Sequence, residues 1–290
     1  MNIAILSRGE SLYSTRSLIK AGEARNHNME VLDPTYFQLS VAHGKASILY
    51  HNEEVNDLHA VIPRIGASNT YFGASLVRQF ELINVFPVVT SEAILQSRDK
   101  WTCFQILSQA AVPVPKTIFA SMAQLEAQLD SFGNNPIIIK LLQGTHGQGV
   151  ILAESRQNAL ATIETMHTAG LQFVLQEFIA ESKGTDIRAI VIDGVVVAAM
   201  KRKCKTGDFR SNLHRGGTAE AISLSFEEER VALRAAKALR LGVCGVDILQ
   251  SDRGPLVLEI NSTPGLEGIE TTTGRNISKS IIGYIERNKR

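Results

Sequence analysis

The chain opens on an apolar run at Asn2–Leu6, and the spacing of apolar positions then shifts to the helical period over Leu12–Asn26. A second apolar run follows at Met29–Leu32, and Ala60–Ile65 is a third, leading into a helical stretch at Tyr71–Asn84 and a strand at Pro87–Thr90. A short strand pair at Ser47–Tyr50 and Glu54–Val55 interrupts the series. Main strands that alternate with helices predict a parallel sheet with crossover helices.

From Ser97 the pattern changes. A helix running to about Ala111 ends in Val112-Pro113-Val114-Pro115, a stiff connection. Past it the periodicity predicts the strand Lys116–Ala120, the helix Ser121–Ser131, strands at Pro136–Leu142 and Val150–Ala153, the helix Arg156–His167 and a strand over Gln172–Ile179. Asp186-Ile187-Arg188 starts a strand that returns as Val195–Arg202 through the turn signal Asp193-Gly194. The amphipathic helix Ser225–Leu241, with Glu227, Glu228 and Glu229 in its first turn, precedes a hairpin of Val243–Ser251 and Pro255–Ile260, and Asn276–Arg290 closes the chain as a helix.

That hairpin carries the strongest chemical signal. A three-residue loop ending in Gly254 sets Ser251 against Pro255, and counting back places Asp247 opposite Glu259. Val246, Ile248, Leu256, Leu258 and Ile260 then form the core face, while Asp247, Glu259 and Asn261 share the other. Carboxylates about 5 Å apart repel by about 3 kcal/mol at an effective dielectric near 20. A hard divalent cation held by oxygen ligands offsets that repulsion; the alternatives are acids that face solvent or pair with neighbouring Arg or Lys. A one-residue slip in register would separate the two.

Other positions point the same way. Lys140 interrupts an apolar strand, and a lysine there calls for an anion. The loop Gln143–Gly149 beyond it has three glycines, which let backbone N–H groups approach phosphate oxygens, as they would also serve a plain hairpin; His146 lies within it. The phosphate-loop pattern G-x-x-x-x-G-K-[ST] is absent, and the first turn, Ser7–Ser11, lacks the G-x-G-x-x-G of dinucleotide sites. Gln176-Glu177-Phe178-Ile179 ends an apolar strand where backbone edges and a ring could hold a purine. Arg64, at the carboxyl end of a strand, is placed either for an anionic substrate or for a salt bridge.

Charge and composition remove several classes. At 290 residues and net charge +1, no global field favours nucleic acid or an anionic membrane. The basic stretch from Lys201 to Gly217 has one ring, Phe209, too few for a nucleic-acid groove. No segment approaches about 20 apolar residues, and Asn2–Leu6 is too short and lacks a basic leader for a signal peptide. Cys103, Cys204 and Cys244 have neither zinc-ligand spacing nor a disulfide framework, which implies a reducing, cytoplasmic setting.

Taken with Asp99-Lys100, Asp186, Arg210-Ser211-Asn212 and the strings Val61–Gly66, Gly207–Gly217 and Pro264–Glu270, the chain resembles the ATP-grasp carboxylate–amine ligases, and within them the RimK family, along its whole length. That family adds L-glutamate to the C-terminus of ribosomal small-subunit protein six. The resemblance implies an α/β fold: a parallel pre-ATP-grasp domain over residues 1–98, then α+β ATP-grasp lobes over 99–290, with a small glycine-loop lobe (99–175) and a C-terminal lobe bearing the metal site (176–290). It implies that Lys100 and Lys140 contact the phosphates of ATP, that Gln176, Glu177, Phe178 and Ile179 line the adenine slot, and that Asp186 reaches the ribose. Arg210, Ser211 and Asn212 would clamp the phosphoryl oxygens, and Asp247, Glu259 and Asn261 would hold one or two Mg²⁺, or Mn²⁺. Lys140, Arg210 and Asn261 would act in catalysis, with Arg64 and Arg202 as contacts to substrate. A homo-oligomer, a tetramer in the family, also follows. Rival expectations are the same chemistry on a carrier protein, a cofactor tail or free glutamate, and a non-catalytic module that binds nucleotide or RNA.

Overall fold

The computed structural model describes residues 1–119, 121–142, 149–204 and 216–289. Its N-terminal part runs β1 (Asn2–Leu6), α1 (Tyr13–Glu23), β2 (Asn28–Leu32), β3 (Phe37–Ala42), β4 (Lys45–Tyr50), β5 (Glu53–Glu54), β6 (Ala60–Pro63), α2 (Thr70–Leu82) and β7 (Phe86–Pro87). Four of these strands form a parallel sheet in the order β2-β1-β6-β7, with Leu6 level with Leu32 on one side and Pro63 on the other. The last strand is shorter than the predicted Pro87–Thr90, since Thr90 instead caps the next helix, its side chain accepting from Ala93 N at 3.2 Å. The strand pair expected near residue 50 is a three-stranded antiparallel sheet, β3-β4-β5. Its missed strand, β3, alternates apolar and polar residues, and Gln79 of α2 ties it down by donating to Ser40 O at 2.8 Å and Ser47 O at 3.2 Å.

The helix expected over Ser97–Ala111 is two helices, α3 (Ser91–Arg98) and α4 (Lys100–Gln109). Asp99 separates them: its carboxylate accepts from Thr102 N at 2.9 Å and so caps α4, in the extended backbone geometry that an N-cap adopts. Beyond them β8 (Thr117–Phe119), α5 (Leu125–Asp130), β9 (Ile137–Leu141), β10 (Val150–Ala153), α6 (Arg156–Thr168) and β11 (Phe173–Glu177) form a small lobe. Its antiparallel sheet has the order β10-β9-β11-β8, and Leu125, Leu129, Ile139, Ile163 and Leu175 belong to a core of its own.

The remainder is β12 (Thr185–Ile192), β13 (Val195–Lys203), β14 (Thr218–Ala221), α7 (Phe226–Ala238), β15 (Val243–Ser251), β16 (Gly254–Asn261), α8 (Glu267–Thr273) and α9 (Ile277–Asn288). The sheet order is β14-β13-β12-β15-β16. A Ser225/Glu228 capping box starts α7. β14 and α8 are short, and the sequence pattern did not predict them. This lobe shares one hydrophobic core with the N-terminal domain, from Ile3 and Leu76 through Ile190 and Ala235 to Ile281.

The β15–β16 hairpin corrects the predicted register while keeping its result. Ser251 pairs with Gly254, not Pro255, across a two-residue turn, so Ile248 faces Val257. The register then shifts between Asp247 and Ile248, and this β-bulge at Leu258 restores Asp247 opposite Glu259. The core face changes accordingly, with Val257 fully buried and Leu258 only half-buried.

Candidate active site

Two lysines from the small-lobe side meet an acid from the C-terminal hairpin. Lys140 lies on β9, 9% exposed, and no hydrogen bond reaches its ammonium from any described residue. Burial pushes it down to about 8; Glu259 pulls it up and Lys100 pushes it further down. Lys100, at the first turn of α4, donates to Leu142 O at 3.1 Å and is also lowered by burial, against the pull of Glu259 and Asp99. Glu259 itself is exposed. Positive charge thus gathers between the lobes where one acid faces it, an arrangement suited to a polyanion.

Asp247 has a different environment from its strand neighbour. It is 3% exposed, and Arg188 on the adjacent β12 grips it through Nε at 2.7 Å and Nη2 at 2.6 Å. Arg202 on β13 reaches the same carboxylate at 3.0 Å and also forks onto Asp186 at 2.7 and 2.6 Å. Burial alone would raise Asp247, but Arg188 and then Arg202 outweigh it and hold the carboxyl at about 2. Burial would likewise lower Arg202, yet Asp247 and Asp186 keep it above its ordinary value. The offset expected from a cation is therefore supplied to Asp247 by arginine, and Glu259 is left open to solvent. Asn261, half-buried, comes within 3.5 Å of Asp247 through Nδ2.

This network revises two expectations. Asp186, 5% exposed, accepts from Arg202 at both oxygens, so a ribose hydroxyl would have to share them. Arg202, 3% exposed, is enclosed by acids of its own chain and is no open substrate contact. Sequence reasoning missed Arg188; the signal was there, a charged residue two positions after Asp186 in an otherwise apolar strand.

At the end of β11, Gln176 is buried and donates to Thr117 Oγ1 at 2.8 Å. Glu177 accepts from Lys116 N at 2.7 Å and from Arg253 at 2.6 Å, both at Oε1, while its own N–H donates to Lys116 O at 3.0 Å. Phe178 is half-buried, and Ile179 is buried with its carbonyl accepting from Ser182. Arg64 donates to Pro264 O at 2.9 Å. Arg210, Ser211, Asn212 and residues 143–148 of the glycine loop, His146 among them, lie outside the described residues. Cys103 and Cys244 are buried, and burial pushes both thiols up to about 12, so neither is a nucleophile at neutral pH.

A two-lobed scaffold with lysines on one side and carboxylates on the other, behind a parallel N-terminal sheet, defines an ATP-grasp ligase. The fold is that of the ATP-grasp ligase PsnB complexed with minimal precursor, with a TM-score of 0.77 at 20% identity over 99% of this chain and 98% of that one. Residues 97–285 match the model of the RimK-like ATP-grasp domain, and residues 1–94 that of the RimK PreATP-grasp domain. A probable alpha-L-glutamate ligase of Halorhodospira halophila is 46% identical over 291 residues, covering 100% of this chain and 96% of that protein. One from Aliivibrio salmonicida is 48% identical over 289 residues, covering 99% and 96%. The chain belongs to the RimK family, and it is a ligase enzyme. Among the described residues no helix is long and apolar enough to cross a membrane.

Proposed function

We propose that the protein joins the amine of L-glutamate to a carboxylate at the expense of ATP, and that the acceptor is the C-terminus of a ribosomal small-subunit protein. The observation that carries the ATP chemistry is Lys140: a buried ammonium without a hydrogen bond from the described residues, next to a second lysine, fits a triphosphate. Relatives named for glutamate ligation support the amino acid. The acceptor rests on the family resemblance through Gly207–Gly217 and Pro264–Glu270.

The donor set also fits a hard cation. Glu259 is open and Asn261 brings an amide oxygen, ligands suited to Mg²⁺ or Mn²⁺, and Asp247, its oxygens already held by Arg188 and Arg202, would join them only by sharing those oxygens. Bound there, one or two such ions would neutralise charge on the transferred phosphoryl group. In the reaction an acceptor carboxylate oxygen attacks the γ-phosphorus, the bond to ADP breaks, and an acyl phosphate forms. The free amine of glutamate then attacks the acyl carbon, and phosphate leaves as the amide forms and the nitrogen gives up a proton. Lys140 and Arg210 spread the charge of the first step, and the lobes exclude the water that would hydrolyse the acyl phosphate.

Measuring ADP release with and without glutamate, and with and without a peptide ending in the acceptor sequence, tests this reading. Release is expected to need both. Glu259→Gln, at an exposed position, is expected to abolish it while thermal unfolding stays unchanged. Turnover that ignores glutamate rejects the amino acid; turnover that ignores the peptide rejects the acceptor; full activity in Glu259→Gln rejects the metal site.

A further inference from the structure

At the centre of the parallel sheet β1 and β6 lie side by side, but the chain leaves them in opposite directions, β1 to β2 on one flank and β6 to β7 on the other. In open parallel sheets, ligands collect outside the carboxyl ends of the strands at such a reversal. Arg64 sits there, directly after β6, its backbone N donating to Leu6 O at the end of β1 at 3.0 Å. Arg98, the last residue of α3, comes to the same place. Its guanidinium donates to the carbonyls of Ile65 and Gly66 and to the hydroxyls of Thr70 and Thr263.

Every acceptor around these two arginines is neutral, and neither forms a salt bridge with a described residue. Both are half-buried, and a cation drawn partly out of water is seldom left without an anion. Burial, and after it the charge of Arg98, together lower Arg64 to about 10. The two differ in what they have left to give. Arg98 is spent on four acceptors of its own chain, whereas Arg64 uses one donor, on Pro264 O at 2.9 Å. The rest of its planar fork, the shape that matches a carboxylate bidentately, has no partner among the described residues.

The position relative to the chemistry is fixed by the loop after β16. Pro264 follows Asn261 by three residues, so at 3.3–3.6 Å per residue the anchor of Arg64 is at most about 11 Å along the chain from that metal candidate. Thr263, which holds Arg98, lies between them, and the buried hydroxyl of Ser262 in the same loop has no partner among the described residues.

We propose that Arg64, braced by Arg98, binds a carboxylate of the amino acid whose amine is joined, so that the N-terminal domain supplies recognition of the incoming glutamate. This rests on the ligase reading above. Of the anions in the reaction, glutamate alone keeps its carboxylates unchanged from start to finish, which suits a permanently charged fork. The acceptor carboxylate loses its charge as the acyl phosphate forms, and an arginine clamped on it would favour the ground state over the transition state. Lys100 and Lys140 are left for the nucleotide phosphates.

The test is steady-state ADP release by wild type, Arg64→Gln and Arg64→Lys, with glutamate, ATP and acceptor peptide varied separately. Arg64→Gln is expected to raise the KM for glutamate by about tenfold or more, and to leave the KM for ATP and for the peptide within about twofold. Arg64→Lys keeps the charge, guards against a folding defect, and should fall between. Glutamine and the α-amide of glutamate identify the carboxylate held: wild type discriminates against the analogue that lacks it, and Arg64→Gln loses that discrimination alone. An unchanged KM for glutamate in Arg64→Gln, or a shift confined to ATP or to the peptide, overturns the proposal while the ligase reading survives. Wild type that releases no ADP in response to glutamate overturns both.

Discussion

Arg202 answers two buried carboxylates at once, and that shapes what its removal does. Arg202→Leu would leave Asp186 with no cation and Asp247 with Arg188 alone, at 5% and 3% exposure. Breaking a buried pair from one side is expected to cost about 3–5 kcal/mol, read as a fall in the urea midpoint. Asp186→Asn combined with Arg202→Leu should recover part of that loss, because the uncompensated charge is then gone. Lys140 gives a second prediction at this scale. Its ammonium is held near 8 by burial, and a bound triphosphate favours the charged form and so raises it. Titrating ATP at pH 8 in buffers of different ionisation enthalpy should show uptake of about half a proton per site, lost in Lys140→Met. The sign follows from a depressed lysine: below about pH 8 it is already charged and uptake fades. Of these residues the sequence made Lys140 and the facing pair Asp247 and Glu259 legible, because each is a charge set into an apolar run. It did not reveal that arginines from β12 and β13 reach Asp247 first, since that contact depends on strand order rather than on any local pattern.

Among elements, the predicted strands and helices held where period and length agreed, as at Asn2–Leu6, Val150–Ala153 and Val243–Ser251. They failed where a single position broke the regular pattern. Asp99 splits a helical run by capping α4, and the bulge at Leu258 cancels a loop one residue shorter than expected. The hairpin β9–β10 rests on a comparable single position. Gly149 has φ +73°, and a Cβ there would lie 2.6 Å from Leu141 Cδ1, too close for either to stay in place. Gly149→Ala is expected to cost about 1–3 kcal/mol of the small lobe's stability. Because that lobe has its own core, hydrogen exchange should quicken in β9, β10 and β11 and stay unchanged in β1 and β6.

The N-terminal domain and the C-terminal lobe are welded where the small lobe is not. Glu270 of α8, buried, accepts from Ser17 Oγ of α1 at 2.9 Å and from Ser278 N at the start of α9 at 2.9 Å, and Ser278 Oγ donates to Ser17 at 2.7 Å. Leu266 N donates to Ser14 Oγ at 3.1 Å beside it. Ser278 is 0% exposed and Ser17 half-buried, so Glu270→Ala strands a buried donor at Ser278, a loss of about 1–3 kcal/mol, and leaves the Ser17 hydroxyl without its acceptor. If the shared core makes these two regions one cooperative unit, calorimetry of Glu270→Ala should show their common transition moving down without splitting. A separate transition for the N-terminal domain would mean that the switch-point arginines and the metal candidates are held in register by the loop through Pro264 alone. The distinction matters for the site, since Arg64 is fixed to one body and Asn261 to the other, and only a rigid junction keeps the two at a constant separation.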